Sequence, residues 1–160
     1  MVQEWPEPVE RVAAVLRTRG IDSRLEEFVD GAATAAAAAL AVGCDAGEIV
    51  KSLVFICDGR PVLALLPGDR RADPLKVAAA AGARYARVAA HHEVRSATGF
   101  EPGAVAPFPA ADATKVLLER ELLRHAMVWA GAGSTNHLVG LSPLDIVRIT
   151  RAEVTDLSEA

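Results

Sequence analysis

The sequence is poor in cysteine and in aromatic residues, and it has no long apolar run. Its two cysteines, Cys44 and Cys57, can build neither a disulfide framework nor a four-ligand metal site. Both are expected as buried thiols in a reducing compartment. The four histidines, His91, His92, His125 and His137, fall in no H-E-x-x-H or Cys/His zinc spacing, so neither a metal nor a cofactor is expected. Aromatic residues make up 4% of the chain, which leaves a core of Val, Leu, Ile and Ala. No apolar run approaches the ~20 residues that span a bilayer. Ala35–Ala41 is too short and only weakly hydrophobic. The opening segment MVQEWPEPVERV carries acidic residues and no apolar stretch, unlike a secretory signal, so a cytoplasmic location is expected. A G-x-S-x-G elbow, a phosphate-loop lysine and a complete G-x-G-x-x-G are all missing, which argues against serine hydrolase and nucleotide-fold readings.

What is present describes a globular chain. An apolar fraction of 51% and a charged fraction of 24% over 160 residues predict one domain across 1–160 with a sizeable core. The net charge of −4 speaks against a general nucleic-acid binder, but the charge is uneven. Arg60, Arg70, Arg71, Lys76, Arg84, Arg87 and Arg95 face only Asp69, Asp73 and Glu93 in the same stretch. The first fifty residues are predominantly acidic. One face can therefore be basic while the whole is acidic; a solvated charge run is the plainer reading.

Periodicity and stop signals give the elements. Val9–Arg19 reads as an amphipathic helix stopped by Gly20, and Ile21–Val29 as a strand. Thr34 caps a helix over Ala35–Val42 that Gly43 ends. Asp45 and Glu48 form a short capping box. Val50–Cys57 is apolar enough to be a central strand, and Asp58-Gly59 turns it back into Pro61–Leu66. Asp73-Pro74 starts a helix that runs to Gly82. Arg84–Val88 reads as a strand and Ala90–Ala97 as a helix. Thr98–Pro109 is a Pro/Gly loop with a short strand around Val105. Lys115–Leu118, Ala126–Ala130 and Leu138–Leu141 read as strands, Ser142-Pro143 opens a helix to about Ile149, and Val154–Leu157 adds a last strand. The interleaving, with at least one hairpin, predicts an α+β fold: a mixed sheet curled into a partial barrel with peripheral helices.

Three features could carry chemistry. Lys51 lies inside an apolar strand, on the face of Leu53, Phe55 and Cys57. It either snorkels at the strand end or points into a cleft, where an ammonium could anchor a phosphate or a carbonyl oxygen developing charge. The loop Thr98-Gly99-Phe100-Glu101-Pro102-Gly103 could aim main-chain N–H groups at one point, as an oxyanion site requires. It could equally be a surface loop. Gly131–His137 suits contact with a sugar or phosphate, and also suits a plain turn. Cys57 looks like an inert core thiol rather than a nucleophile.

Four segments together resemble the YbaK/ProRS-associated family of aminoacyl-tRNA editing domains: IVKSLVF at 49–55, LLPGDRRAD at 65–73, TGFEPGAVAPF at 98–108 and AGAGSTNHLVGLSPLDIVRIT at 130–150. The resemblance covers about 21–156. It implies a mixed α/β fold with a partly open, barrel-like sheet. It also implies hydrolysis of the ester joining a wrong amino acid to the 3′ end of tRNA, often tRNA for proline, as in Cys-tRNA(Pro) or Ala-tRNA(Pro) trans-editing. It places the family's strand lysine at Lys51, with Ser52 beside it. The shaping loop falls on Thr98, Gly99, Pro102 and Gly103, with Gly99 and Gly103 as catalytic main-chain positions. The second pocket loop falls on Gly131, Gly133, Ser134 and Thr135, and extends to His137. Ala33 and Thr34 fall on the segment that shapes the amino-acid pocket. The expected partner is the aminoacyl 3′ end of tRNA, with room for prolyl-tRNA synthetase and a homodimer, and no membrane. The nucleophile would be a water activated by the substrate's own 2′-OH or amino group or, for cysteine, the substrate's own thiol, in which case positioning would supply most of the rate. Two other readings stand beside this one: an inactive module that binds a tRNA end or nucleotide, and a small-molecule ester or amide hydrolase. Binding without turnover would mark the first; turnover of free esters but not of tRNA would mark the second.

Overall fold

A computed structural model describes residues 4–111 and 114–160. In chain order the elements are α1 (Glu7–Arg19), β1 (Ser23–Glu27), α2 (Ala35–Val42), β2 (Ile49–Cys57), β3 (Arg60–Pro67), α3 (Pro74–Ala81), β4 (Ala86–Val88), α4 (His91–Thr98), β5 (Lys115–Glu119), β6 (Val128–Gly131), β7 (His137–Leu141), α5 (Pro143–Thr150) and β8 (Glu153–Thr155). Short 3-10 turns at Ala46–Glu48 and Arg120–Arg124 complete the chain.

Capping chemistry sets most boundaries. Thr34 Oγ1 accepts the Ala37 N–H at 3.0 Å, Asp73 Oδ1 accepts the Leu75 N–H at 2.9 Å, and Ser142 Oγ accepts the Leu144 N–H at 3.2 Å, each satisfying a donor that a helix start leaves open. In α1, Glu7 and Glu10 sit in the first turn and Arg17 and Arg19 in the last, matching the helix dipole. The Asp58-Gly59 turn has φ of 49° and 82°. Two positive values in a two-residue loop match the right-handed twist of the flanking strands.

Among the described residues, eight strands form one mixed sheet in the order β1-β7-β6-β2-β3-β5-β8, with β4 also on β2. The β2·β6, β3·β5 and β5·β8 pairs are parallel and the others antiparallel. The α+β mixed sheet agrees with expectation; it remains open, with β1 and β8 at its two ends. Strands β2 and β3 are covered on both faces, which explains their continuous apolar sequence. One face packs Val50, Val54, Leu63 and Leu65 under Val12, Leu16, Val94 and Ile146 of the helices. The other packs Phe55, Cys57, Ala64 and Leu66 against Val77 and Leu157. Each fully buried leucine here contributes roughly 1.5–3 kcal/mol. Among the described residues no helix is long and apolar enough to cross a membrane.

Four local expectations are corrected. The first strand begins at Ser23 rather than Ile21, because the Ile21 N–H is used at 3.0 Å by the Leu16 carbonyl to close α1. It ends at Glu27. No strand forms at Val105: Pro102, Pro107 and Pro109 remove donors, and Ala104 N–H turns back to Glu101 O at 2.9 Å. The last strand ends at Thr155, since the Leu157 N–H goes to Glu119 Oε1 at 2.9 Å instead of to a ladder. Cys57 is buried as expected, but Cys44, just past the end of α2, is only partly buried.

Candidate active site

Strand β2 keeps β3 along one edge for nearly its whole length and changes partner on the other. Ile49 and Val50 pair with Trp129 and Ala130 of β6. Phe55, Ile56 and Cys57 pair with Val88, Arg87 and Ala86 of β4, and Val54 O accepts the Ala89 N–H at 3.0 Å. Between these partners the sheet splits at Lys51, Ser52 and Leu53. The turn after Cys57 also fixes the phase of the ladder. Cys57 and Arg60 flank it, so odd-numbered residues of β2 exchange main-chain hydrogen bonds with β3 and even-numbered ones face the other edge. The main-chain N–H and C=O of Ser52 therefore face the split.

A hollow of about 310 Å³ occupies it. Lys51, Ser52 and Leu53 form one wall, and Ala32–Ala35 with Ala38 of α2 form another. Gly103 and Val105 cross from the Pro/Gly loop, and Gly131, Ser134 and Leu138 close the β6–β7 side. A second hollow of about 230 Å³ shares Ser52, Leu53, Gly103 and Val105 and adds Val88, His91 and Pro102. The two meet where Ser52 faces the loop. Two glycines allow this approach. Gly103 has φ of 85°, which an L side chain rarely adopts. A Cβ on Gly131 would lie 3.0 Å from the Val105 carbonyl oxygen, so the absence of a side chain sets the loop's distance.

The polar groups are few. The half-buried Lys51 donates its ammonium to the Arg70 carbonyl, in the turn after β3. Burial, and then the neighbouring Arg71 guanidinium, hold its pKa below the ordinary lysine value, while Asp69 acts the other way. Ser52 Oγ is buried and has no hydrogen-bond partner among the described residues. Such an orphan costs about 1–3 kcal/mol, so it marks a place where a ligand group can supply the missing bond.

Of the residues singled out from sequence, Ala33, Thr34, Ser52, Gly103, Gly131 and Ser134 surround the same hollow as Lys51, and Pro102 lines the adjoining one. The others stand back from both. Thr98 is buried and closes α4, donating to Val94 O at 2.8 Å and accepting from the Phe100 N–H at 3.0 Å. Gly99 caps the same helix with φ of 74° and accepts a hydrogen bond from Arg11 through its carbonyl. Gly133 packs beneath the Pro8 main chain. Thr135 is exposed, and its carbonyl takes the Ala32 N–H at 2.7 Å, which docks the segment before α2. His137 is buried behind Ser134. Leu53, Val105 and Leu138 line the hollow but were not singled out, because an apolar residue reads the same in a core and in a pocket wall. A larger hollow of about 480 Å³, between α1, residues 107–111 and α5, contains none of these residues.

An open mixed sheet with a lysine-bearing split between two parallel strands defines the architecture of this α+β domain. The family model for the aminoacyl-tRNA editing domain matches residues 29–149, and the chain belongs to that family. It is 31% identical over 134 residues to the uncharacterised protein YwhH of Bacillus subtilis, covering 83% of this chain and 85% of that one. It is 31% identical over 113 residues to the proline–tRNA ligase of Streptococcus equi subsp. equi, covering 70% of this chain but only 18% of the ligase. Among solved structures, one described as a proposed trans-editing enzyme for prolyl tRNA synthetase superposes with a TM-score of 0.90 at 35% identity, covering 98% of this chain and all of that one.

Proposed function

We infer that this chain is an aminoacyl-tRNA deacylase that removes a small wrong amino acid, of the alanine or cysteine type, from tRNA for proline. The observation that carries the reading is the buried, unpartnered Ser52 Oγ beside Lys51 at the split in the sheet. Family membership supports the substrate class, and the ligase and trans-editing relatives support proline as the tRNA type.

The ester carbonyl lies where the two hollows meet. The Ser52 main-chain N–H and the Lys51 ammonium face the oxygen that becomes negative when water adds to the carbonyl carbon, and the Ser52 hydroxyl, on the opposite face of the strand from Lys51, meets another polar group of the substrate. Donors fixed on a central strand need no reorganisation as that charge appears. The amino-acid side chain lies against the wall of the hollow formed by Ala33, Thr34, Ala35 and Ala38, a wall that carries no charged side chain. The terminal adenosine takes the adjoining hollow, with its base against Pro102 and His91. Arg70 and Arg71, next to the Lys51 head group, receive tRNA phosphates as point charges.

The test is a panel of mischarged tRNAs incubated with the protein. Release of alanine or cysteine from tRNA(Pro), with correctly charged tRNA left intact, is the expected outcome. Binding without release would support the inactive module, and hydrolysis of free amino-acid esters but not of tRNA would support the small-molecule hydrolase.

A further inference from the structure

The hollow lacks an obvious base to take the proton of the attacking water, and the residues behind it supply one. Ser134 lines the hollow, and its Oγ lies 2.5 Å from Nδ1 of His137. The Asn136 N–H donates to the same Oγ at 3.0 Å, which fixes the hydroxyl within the turn. His137 is 4% exposed, and the edge of Trp5 packs on it with ring centroids 5.6 Å apart. Its other nitrogen, Nε2, lies 3.6 Å from Glu27 Oε2. The β1·β7 register places Glu27 directly opposite His137. A carboxylate beside Nε2 favours the proton on that nitrogen and leaves Nδ1 free to accept from Ser134.

We propose that Ser134, His137 and Glu27 form a proton relay from the hollow into the protein, with Ser134 as the group that touches the attacking water. This rests on the deacylase reading. Water oxygen bonds to the ester carbonyl carbon as its proton passes to Ser134 Oγ, and the Ser134 proton passes to His137 Nδ1. The imidazolium so formed faces the Glu27 carboxylate. The tetrahedral intermediate then expels the ribose oxygen. The proton returns through Ser134 to that oxygen, leaving free amino acid and tRNA with a restored hydroxyl. Ser134 forms no bond to carbon. His137 acts through Ser134 and is a positioning and proton-storing residue.

The charged surroundings of His137 are simple. Glu27 on β1 is the one charged group within ion-pair reach among the described residues. Trp5, from the segment before α1, and Ser134 and Asn136, from its own turn, carry no charge.

The experiment is the pH dependence of single-turnover deacylation of Ala-tRNA(Pro) and Cys-tRNA(Pro) by wild type, His137→Gln, Ser134→Ala and Glu27→Gln, with thermal melts run alongside. General base transfer is worth about 10²–10⁴-fold, so His137→Gln and Ser134→Ala should each lose at least 10²-fold. The acid-side fall of the wild-type rate should vanish in both. Glu27→Gln should lower the rate several-fold, because the imidazolium formed in the relay loses its counter-charge. If His137→Gln fails to fold, the partly exposed Ser134→Ala decides alone. An acid limb unchanged in Ser134→Ala, with rates near wild type, overturns the relay and leaves the deacylase reading standing. A wild-type protein that releases no amino acid from any mischarged tRNA overturns both.

Discussion

Val50 and Ala130 are the last paired residues of β2 and β6. Beyond them the two parallel strands part, and the next residues of β2, Lys51 and Ser52, line a hollow on that edge while β3 stays paired on the other. A parallel pair that ends inside a sheet leaves main-chain groups free on a rigid edge. The proposed site therefore sits on a strand paired along both of its edges.

Ser52 should separate stability from function. Its buried Oγ has no partner, so Ser52→Ala should leave the melting temperature unchanged or raise stability by up to about 1 kcal/mol. Deacylation should fall at least tenfold. A calorimetric melt paired with a rate measurement checks both; a destabilised but fully active variant would contradict the role.

Gly131 should control the width of the hollow. A Cβ there meets the Val105 carbonyl oxygen at 3.0 Å, so Gly131→Ala must push the loop outward. Overpacking of this kind costs about 1–3 kcal/mol. Stability by denaturant titration should fall by about 1 kcal/mol, and kcat/KM should fall about tenfold through misplacement of Gly103 and Val105.

Arg70 and Arg71 should serve the nucleic acid and not the chemistry. In the Arg70→Ala, Arg71→Ala double variant, KM for mischarged tRNA should rise several-fold and its dependence on salt should flatten by up to about two phosphate contacts. Turnover of an aminoacyl-adenosine, which lacks those phosphates, should be unchanged.

Glu93 should set part of the acid stability. Hydrogen bonds from Arg87, at 2.8 and 2.9 Å, and from the Ala90 N–H at 2.8 Å hold its carboxyl down to about 2. A depressed carboxyl pKa adds stability that is present above the unfolded value, near 4.3, and disappears as pH falls toward about 2. Glu93→Gln should raise the midpoint of acid unfolding, and the two proteins should converge below about pH 2.

Much of this was legible in the sequence because the signals were local. Thr34, Asp73 and Ser142 read as helix caps and are caps. Asp58-Gly59 read as a tight hairpin turn and is one. Alternation placed Lys51 on the face of Phe55 and Cys57, and those two residues share one core face with Leu53 packed against it. What was not legible depends on contacts between distant segments. Val105 has strand chemistry, yet its neighbours Pro102 and Pro107 and its position over Gly131 keep it in a loop. Thr98 and Gly99 carry the same residue types as a pocket loop but spend them on ending α4. The pairing of Glu27 with His137 depends on a strand register spanning most of the chain. Leu53 and Leu138 look like core at every local level.

Lys51 provides the most direct measurement. Single-turnover deacylation of Ala-tRNA(Pro) and Cys-tRNA(Pro) should be compared for wild type and Lys51→Ala, with circular dichroism confirming that both are folded. Losing a fixed cation at the developing oxyanion should slow release by about 10²–10³-fold without changing the fold. Equal rates in the two proteins would contradict a reaction centred on the split between β2 and β6.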